Sequence, residues 1–358
     1  MRSLCFEIWR SGCAAAIICV LLLLSVPVAG QQPKPYELFG IIENQRYGYI
    51  DRTGKTVIQP QFYDVRAFSD GLARATVESR DVYIDRTGKI AIRPEGYEPY
   101  DFSEGLAQMK IADKWGYIDT AGNTAITPQF AMAWGFTEGV ARVLQKNRWG
   151  YIDRSGAFFV PPQFESAMNF SEGLAGIRSN GQWGFIDRRG KKVIPCQFYD
   201  VRSFSEGMAQ IRRRAEWGMP DKWGFIDRTG KLVIDAEYDD VSYFADGLAA
   251  VRIGDKWNYV DAKGRLVFTQ LFDYAMPYSE GLAAVRFGEV WGFIDKTGKI
   301  VIQPQFRNTW GFSGGLAAVR IGAAESGDQF GYIDHRGKYV WGPGGYKIAT
   351  QKMKPNMK

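Results

Sequence analysis

The chain has 358 residues, 46% hydrophobic and 15% aromatic, with a net charge of +6, which excludes a disordered tail and a disulfide-stapled miniprotein. Its 41 glycines, about 11% against the usual ~7%, favour a turn-rich chain of strands over a helical one. Its one histidine, His335, excludes Ser-His-Asp and Cys-His nucleophilic sites and multi-histidine metal centres.

Arg2 and Arg10 lead into a nearly continuous apolar run from Ala14 to Leu24, and Ser25-Val26-Pro27-Val28-Ala29-Gly30 follows with small residues and a helix breaker. The pattern predicts an export signal over residues 1–30, cleaved before Gln31. The apolar run, roughly 15 residues, falls short of the ~20 that span a bilayer; an uncleaved anchor over residues 14–28 is the alternative. Cleavage removes Arg2, Arg10 and Glu7 and lowers the charge to +5. It also removes Cys5, Cys13 and Cys19, so Cys196 is left without a disulfide partner in the mature chain and reads as an inert thiol. The expected address is periplasmic or extracellular. Residues 31–36 read as a short linker, 37–341 as one repeat domain and 342–358 as a C-terminal tail.

The repeat begins at Tyr47-Gly-Tyr-Ile-Asp51 and returns with its aspartate at Asp85, Asp119, Asp153, Asp187, Asp227, Asp261, Asp295 and Asp334, spaced 34 residues apart except for steps of 40 and 39. That makes nine copies. A second motif, Phe68-Ser-Asp-Gly-Leu-Ala73, alternates with the first, its aromatic residue recurring at Phe102, Phe136, Phe170, Phe204, Phe244, Tyr278 and Phe312.

Within a unit, Trp115-Gly-Tyr-Ile-Asp119 alternates large rings with Gly and Ile, the period of a strand with rings on one face. Thr120-Ala121-Gly122 then reverses the chain through a type I turn plus a left-handed glycine. A short strand such as Lys299 to Gln303 follows, which Pro304 is expected to end by withholding a ladder donor. Phe-Ser-Glu-Gly turns into a further strand such as Gly281 to Arg286, which leads to the next Trp-Gly. The two longer steps, around Arg212 to Asp221 and Ala323 to Gln329, fall in this last connection and should protrude from one edge.

Lys222-Trp-Gly-Phe-Ile-Asp-Arg-Thr-Gly-Lys-Leu-Val-Ile, followed by Phe244-Ala-Asp-Gly-Leu-Ala-Ala-Val, resembles the bacterial WG (KWG) repeat, in phase from about residue 37 to residue 341. Copies depart from it at Asp81-Val82, Asn258, Tyr47, Phe330 and Gly314, and there less regular packing is expected. The resemblance implies a β-repeat module without established catalysis. The fold class is therefore all-β, an array of nine three-stranded antiparallel units whose faces are buried by their neighbours. An open twisted superhelix is the first choice, because nine blades exceed the usual four to eight; a propeller-like ring is the alternative.

The aspartates that end each Trp-Gly strand read as turn acceptors rather than metal ligands, since no second oxygen ligand recurs beside them. The acidic residue of Phe-Ser-Glu-Gly reads as a turn residue, and His335 as an exposed turn position. Trp115, Trp149, Trp183, Trp223, Trp257 and Trp291 read as interlocking core rings. Specificity is expected where the repeat varies. Two positions before each Phe-Ser-Glu-Gly aromatic stand Arg66, Tyr100, Trp134, Met168, Arg202, Ser242, Met276 and Trp310, a composition like that of interface anchors. A second, basic stripe comprises Lys110, Arg178, Arg212, Arg252, Arg286 and Arg320, interrupted at Thr76 and Leu144; it suits an extended anion or, more simply, local pairing.

The leading functional expectation is an exported, non-catalytic scaffold that binds a protein or peptide in the cell envelope. The alternative is a carbohydrate or anionic-polymer binder using Tyr100, Trp134, Trp310 and the basic stripe. A hydrolase is a distant third. No cofactor, metal or nucleic acid is expected, and membrane contact only through an uncleaved signal.

Overall fold

The computed structural model describes residues 37–95, 99–214, 220–322 and 329–342. The expected signal, residues 343–358 of the expected tail, and residues 215–219 and 323–328 of the two inserts lie outside these. The regular elements of the described residues are all strands, gathered into nine antiparallel sheets that succeed one another along the chain. These are numbered here as blades 1 to 9: residues 39–62, 64–92, 106–130, 132–164, 166–198, 200–238, 240–261, 274–306 and 308–341.

Blade 4 shows the plan. A two-residue linker strand, Met132–Ala133, pairs with Val140–Gln145, which pairs with the Trp-Gly strand Arg148–Asp153, which pairs with the hairpin strand Phe158–Phe164. Glu138 and Gly139, both at positive φ (53° and 78°), close the first reversal, the geometry of a type I′ hairpin turn that matches strand twist. The linker strand is the difference from the three-stranded expectation: six of the nine sheets have four strands. Two residues of pairing carry no hydrophobic alternation that a sequence could reveal.

The loop after each Trp-Gly strand is the expected one. Gly156 N donates to Asp153 O (3.0 Å), and Asp153 Oδ1 accepts from Ser155 N (2.8 Å), Ser155 Oγ (2.6 Å) and Ala157 N (3.2 Å). Pro304, however, does not end its strand. The hairpin strand runs Ile300–Phe306, because it is the outer strand of its sheet and its register shifts between Phe293↔Ile302 and Trp291↔Phe306, so no partner requires the missing N–H.

The Trp-Gly glycine exists because of that bulge. A Cβ on Gly48, Gly116, Gly150, Gly184, Gly224 or Gly292 would lie 2.4–2.7 Å from a backbone oxygen of the hairpin strand, and each of these glycines is followed by a seven-residue hairpin strand. Where Val82 stands instead, the strand shrinks to Ile90–Ile92. Where Asn258 stands, it is replaced by isolated bridges, Val260↔Leu266 and Trp257↔Phe272, and the Asn258 amide donates to Phe268 O (2.7 Å).

Each core lies between two blades. Val140, Tyr151, Val160 and Phe164 of blade 4 pack on Ala167, Phe170, Ala175, Ile177 and Ile186 of blade 5. Nine such clusters join nine blades, the ninth formed by Phe39, Ile41 and Ile50 of blade 1 with Leu316 of blade 9. Tyr332 Oη donates to Gly40 O (2.9 Å) and Ser313 Oγ to Glu37 (3.0 Å) across this seam. The array is therefore the ring, a nine-bladed propeller, and not the open superhelix. Among the described residues every sheet is built from consecutive strands, so there the ring closes through side chains with no exchanged strand.

Candidate functional site

The irregular stripe takes the residue just after each two-residue linker strand, with Met276 inside the longer strand Tyr274–Ser279 and Tyr100 ahead of the three-stranded blade 3. Trp134 N donates to Arg142 O (3.2 Å) and Arg202 N to Gln210 O (2.9 Å), which fixes the stripe residue beside the strand that pairs with its own blade's Trp-Gly strand. The eight stripe residues are exposed or half-buried, and Tyr100 and Trp310 are 47% and 49% exposed. Several lean on the motif tryptophan of their own blade: Tyr100 on Trp115 (5.6 Å between ring centres), Trp134 on Trp149 (5.2 Å), and Arg202 over Trp223 (4.3 Å). Trp310 approaches Phe330 (6.2 Å) in the same way. Arg66 pairs with Asp64 (3.3 Å), and Met168 and Met276 are half-buried against neighbouring core clusters.

The tryptophans themselves divide. Trp223, Trp257 and Trp291 are buried, while Trp115, Trp149 and Trp183 are only partly covered and rest on the core. The deepest rings are the residues two positions later, including Tyr117, Tyr151, Phe185 and Phe225, each at most 1% exposed. Most of these tyrosines donate to the stripe backbone of the next blade, as Tyr117 Oη does to Trp134 O (2.7 Å) and Tyr151 Oη to Met168 O (2.7 Å). Burial holds their hydroxyls well above the ordinary tyrosine pKa. Sequence alternation had placed both rings on one face but could not say which lay deeper.

The basic stripe is less free than its spacing suggests. Lys110, Arg212, Arg252, Arg286 and Arg320 are half-buried, and Arg178 is exposed. Lys110 lies 3.7 Å from Asp113 and Arg212 3.6 Å from Asp200. Arg252 donates to Gly254 O (2.9 Å), Arg178 to Gly181 O (3.2 Å), and Arg286 and Arg320 lie over Tyr274 and Phe330. Each also sits opposite the motif aromatic in the ladder, as Arg212 does opposite Trp223.

The acidic residue of Phe-Ser-Glu-Gly does more than turn the chain. Asp70, Glu104, Glu138, Glu172, Glu206, Asp246 and Glu280 each accept from the backbone N–H of the corresponding glycine one blade on, as Glu104 does from Gly139 (2.8 Å). A side chain from a hairpin loop then joins several of them: Arg188 on Glu138 (3.5 Å), Arg228 on Glu172 (3.3 Å), and His335 on Glu280 (3.0 Å), with the His335 ring stacked on Phe312. His335 thus occupies the place that Arg188 and Arg228 hold in their own loops. At the seam the arrangement is exchanged: Gly314 replaces the acid, and Glu37 stands where the receiving glycine would be. A side chain at position 314 would strike Glu37. Cys196 is half-buried against the core between blades 4 and 5.

Three stripe positions come together in one cleft. Arg202, Ser242 and Met276, from blades 6, 7 and 8, line a cavity of about 510 Å³ with Trp257, Tyr243, Tyr274 and Gln210. Arg202 pairs with Asp240 (3.1 Å) in its wall. Gln210 is 2% exposed, and its Oε1 has no hydrogen-bond partner. A search for bulky anchor residues passes over this place, since its origin is a small one, Ser242.

A model of the WG-containing repeat matches the chain at residues 47–79, 83–115, 115–149, 149–183, 183–217, 223–257, 259–290 and 291–323. No curated protein matches it. Among solved structures, one described as a eukaryotic initiation factor is 12% identical with a TM-score of 0.62, over 86% of this chain and 96% of its own. Oligopeptidase B from Trypanosoma brucei, with covalently bound antipain, is 11% identical with a TM-score of 0.41, over 84% of this chain and 53% of its own. At these identities the likeness to the initiation factor is one of fold alone.

Proposed function

The chain belongs to the family of WG-containing repeats, and from that premise we propose that it is a non-catalytic scaffold of the cell envelope that binds a protein or peptide along its irregular stripe. The supporting observation is the cleft at blades 6 to 8, where a fixed backbone carries three different stripe side chains into one concave surface. A repeated frame with variable residues at one position separates stability from specificity, the arrangement recognition surfaces use. The carboxylates of the repeat, already engaged by turn amides and neighbouring glycines, are better placed to hold blades together than to transfer protons.

A polysaccharide remains the second reading on one observation, the half-exposed rings of Tyr100 and Trp310. The local contacts of the basic stripe weigh against an anionic polymer. The test is capture from envelope extract by the wild-type chain and by a Tyr100→Ala, Trp134→Ala, Trp310→Ala variant, with salt elution. A protein held by the first and lost by the second supports the proposal. Retention of polysaccharide instead favours the second reading, and equal capture by both removes Tyr100, Trp134 and Trp310 from recognition and confines it to the cleft positions Arg202, Ser242 and Met276.

A further inference from the structure

In several blades the protein places a guanidinium of its own beside the next blade. Two positions supply it: the stripe residue, and the strand residue whose carbonyl accepts the stripe N–H. In blade 4, Arg142 lies over Trp134 (4.4 Å) and Trp149 (5.5 Å) and donates to Ala167 O of blade 5. In blade 6, Arg202 lies over Trp223 and donates to Val241 O of blade 7 (2.5 Å). In blade 2, Arg74 donates to Pro99 O (2.7 Å) and lies over Tyr100 (5.8 Å). Ala167 and Val241 hold the same place, the second residue of the linker strand, and Pro99 is its counterpart ahead of blade 3.

Blade 7 keeps the receiving groups without the cation. Its two positions are Ser242 and Ala250, the one pair in blades 2 to 9 in which both are small. Trp257 remains as the platform, with Tyr274 beside it (5.0 Å). Ala275 pairs with Val285 as Ala167 pairs with Ile177, so its carbonyl holds the same place in the ladder. The cavity of about 510 Å³ occupies this spot. The buried Gln210 Oε1 adds a second acceptor that has no donor.

We propose that the cleft over Trp257 is a seat for the guanidinium of an arginine side chain, presented by an extended peptide of the partner. Guanidinium has a flat face for Trp257 and a fork of donors that can serve Ala275 O and Gln210 Oε1 together. Tyr243 and Tyr274, 51% and 40% exposed, flank the opening and offer apolar surface to the residues on either side of the arginine. This inference rests on the scaffold reading and names what the partner brings to it.

The probe is the peptide acetyl-Gly-Arg-Gly-amide, titrated into the full chain by calorimetry, beside the same peptide with citrulline or lysine and beside free arginine. The arginine peptide binds saturably and the citrulline peptide at least about tenfold more weakly, because citrulline keeps the shape and loses the charge. Ser242→Arg refills the seat from the chain's own backbone, as Arg202 does in blade 6. That variant keeps its melting temperature or raises it, and loses the peptide. Equal binding of the arginine and citrulline peptides, absence of binding, or full binding by Ser242→Arg overturns the seat, and free arginine binding as tightly as the peptide overturns the peptide source. If Ser242→Arg still captures the envelope partner that the triple variant loses, the seat fails and the scaffold reading stands. If the wild type captures nothing yet binds the arginine peptide, the scaffold reading fails and the seat stands.

Discussion

At the scale of single residues, the glycine of the Trp-Gly motif is a spacing requirement imposed by the strand beside it. The atoms a Cβ would meet at Gly150 are backbone, Val160 O at 2.7 Å among them, so no side-chain rotation relieves the clash. Gly150→Ala is expected to destabilise the ring by about 1–3 kcal/mol, the range for overpacking. Urea unfolding measures it, and hydrogen exchange should localise the loss to residues 158–164. A change below a few tenths of a kcal/mol would contradict the account. The chain has already made two such substitutions, Val82 and Asn258, and in both blades the hairpin strand is shortened or lost. The sequence marked these copies as irregular, but the reason is a close approach across a bulge that no linear pattern records. The seam is a similar case: Gly314 looked like a defect until Glu37, 277 positions away in the chain, proved to fill the gap.

At the scale of elements, the hairpin loops make the fold acid-sensitive. In Asp51, Asp85, Asp153, Asp227 and Asp295 the largest influence on the carboxyl is the hydroxyl hydrogen bond from the Thr or Ser two residues on, and it holds the pKa below the usual carboxylate value. In Asp119 the backbone N–H of Asn123 has that role, and in Asp261 the side chain of Arg265. A carboxylate whose folded pKa lies below its unfolded value of about 3.9 adds stability above that value and loses it as pH falls through the folded pKa. Seven loops acting alike should give a melting temperature that is level near neutrality and drops steeply below about pH 4. A thermal melt series from pH 7 to pH 2 checks this, and the Asp227→Asn variant should show a shallower drop. These loops were legible in sequence because Asp, a small polar residue two positions on and Gly three positions on recur in chain order. The linker strands were not, since two residues of pairing leave no periodicity, and Pro304 misled because its effect depends on whether a neighbour needs its N–H.

At the scale of the whole molecule, closure is the property that separates the two arrangements the repeat allowed. Local pattern specifies a blade and a neighbour; whether nine of them meet depends on a small rotation accumulated at every interface, which no residue encodes alone. Deleting residues 321–358 removes Tyr332 and Val340 and so opens the seam at Gly40 and at Gly54, whose Cβ position lies 2.2 Å from Val340 O. The truncated chain is expected to lose cooperative unfolding by circular dichroism. A sharp transition at an unchanged temperature would mean that the seam contributes little.

The seam also sets a schedule. Tyr332 meets Gly40 across 292 positions of chain, and Ser313 meets Glu37 across 276. Synthesis at roughly 5–20 residues per second separates those partners by about 15 to 60 s. Blades 1 to 8 can stack as they emerge, since each needs only the one before it. The outer flank of blade 1, with Phe39 and Ile41 on it, stays uncovered until the last blade arrives. For that interval the nascent ring is a curved stack with two adhesive ends, and two chains made side by side could close on each other instead of on themselves.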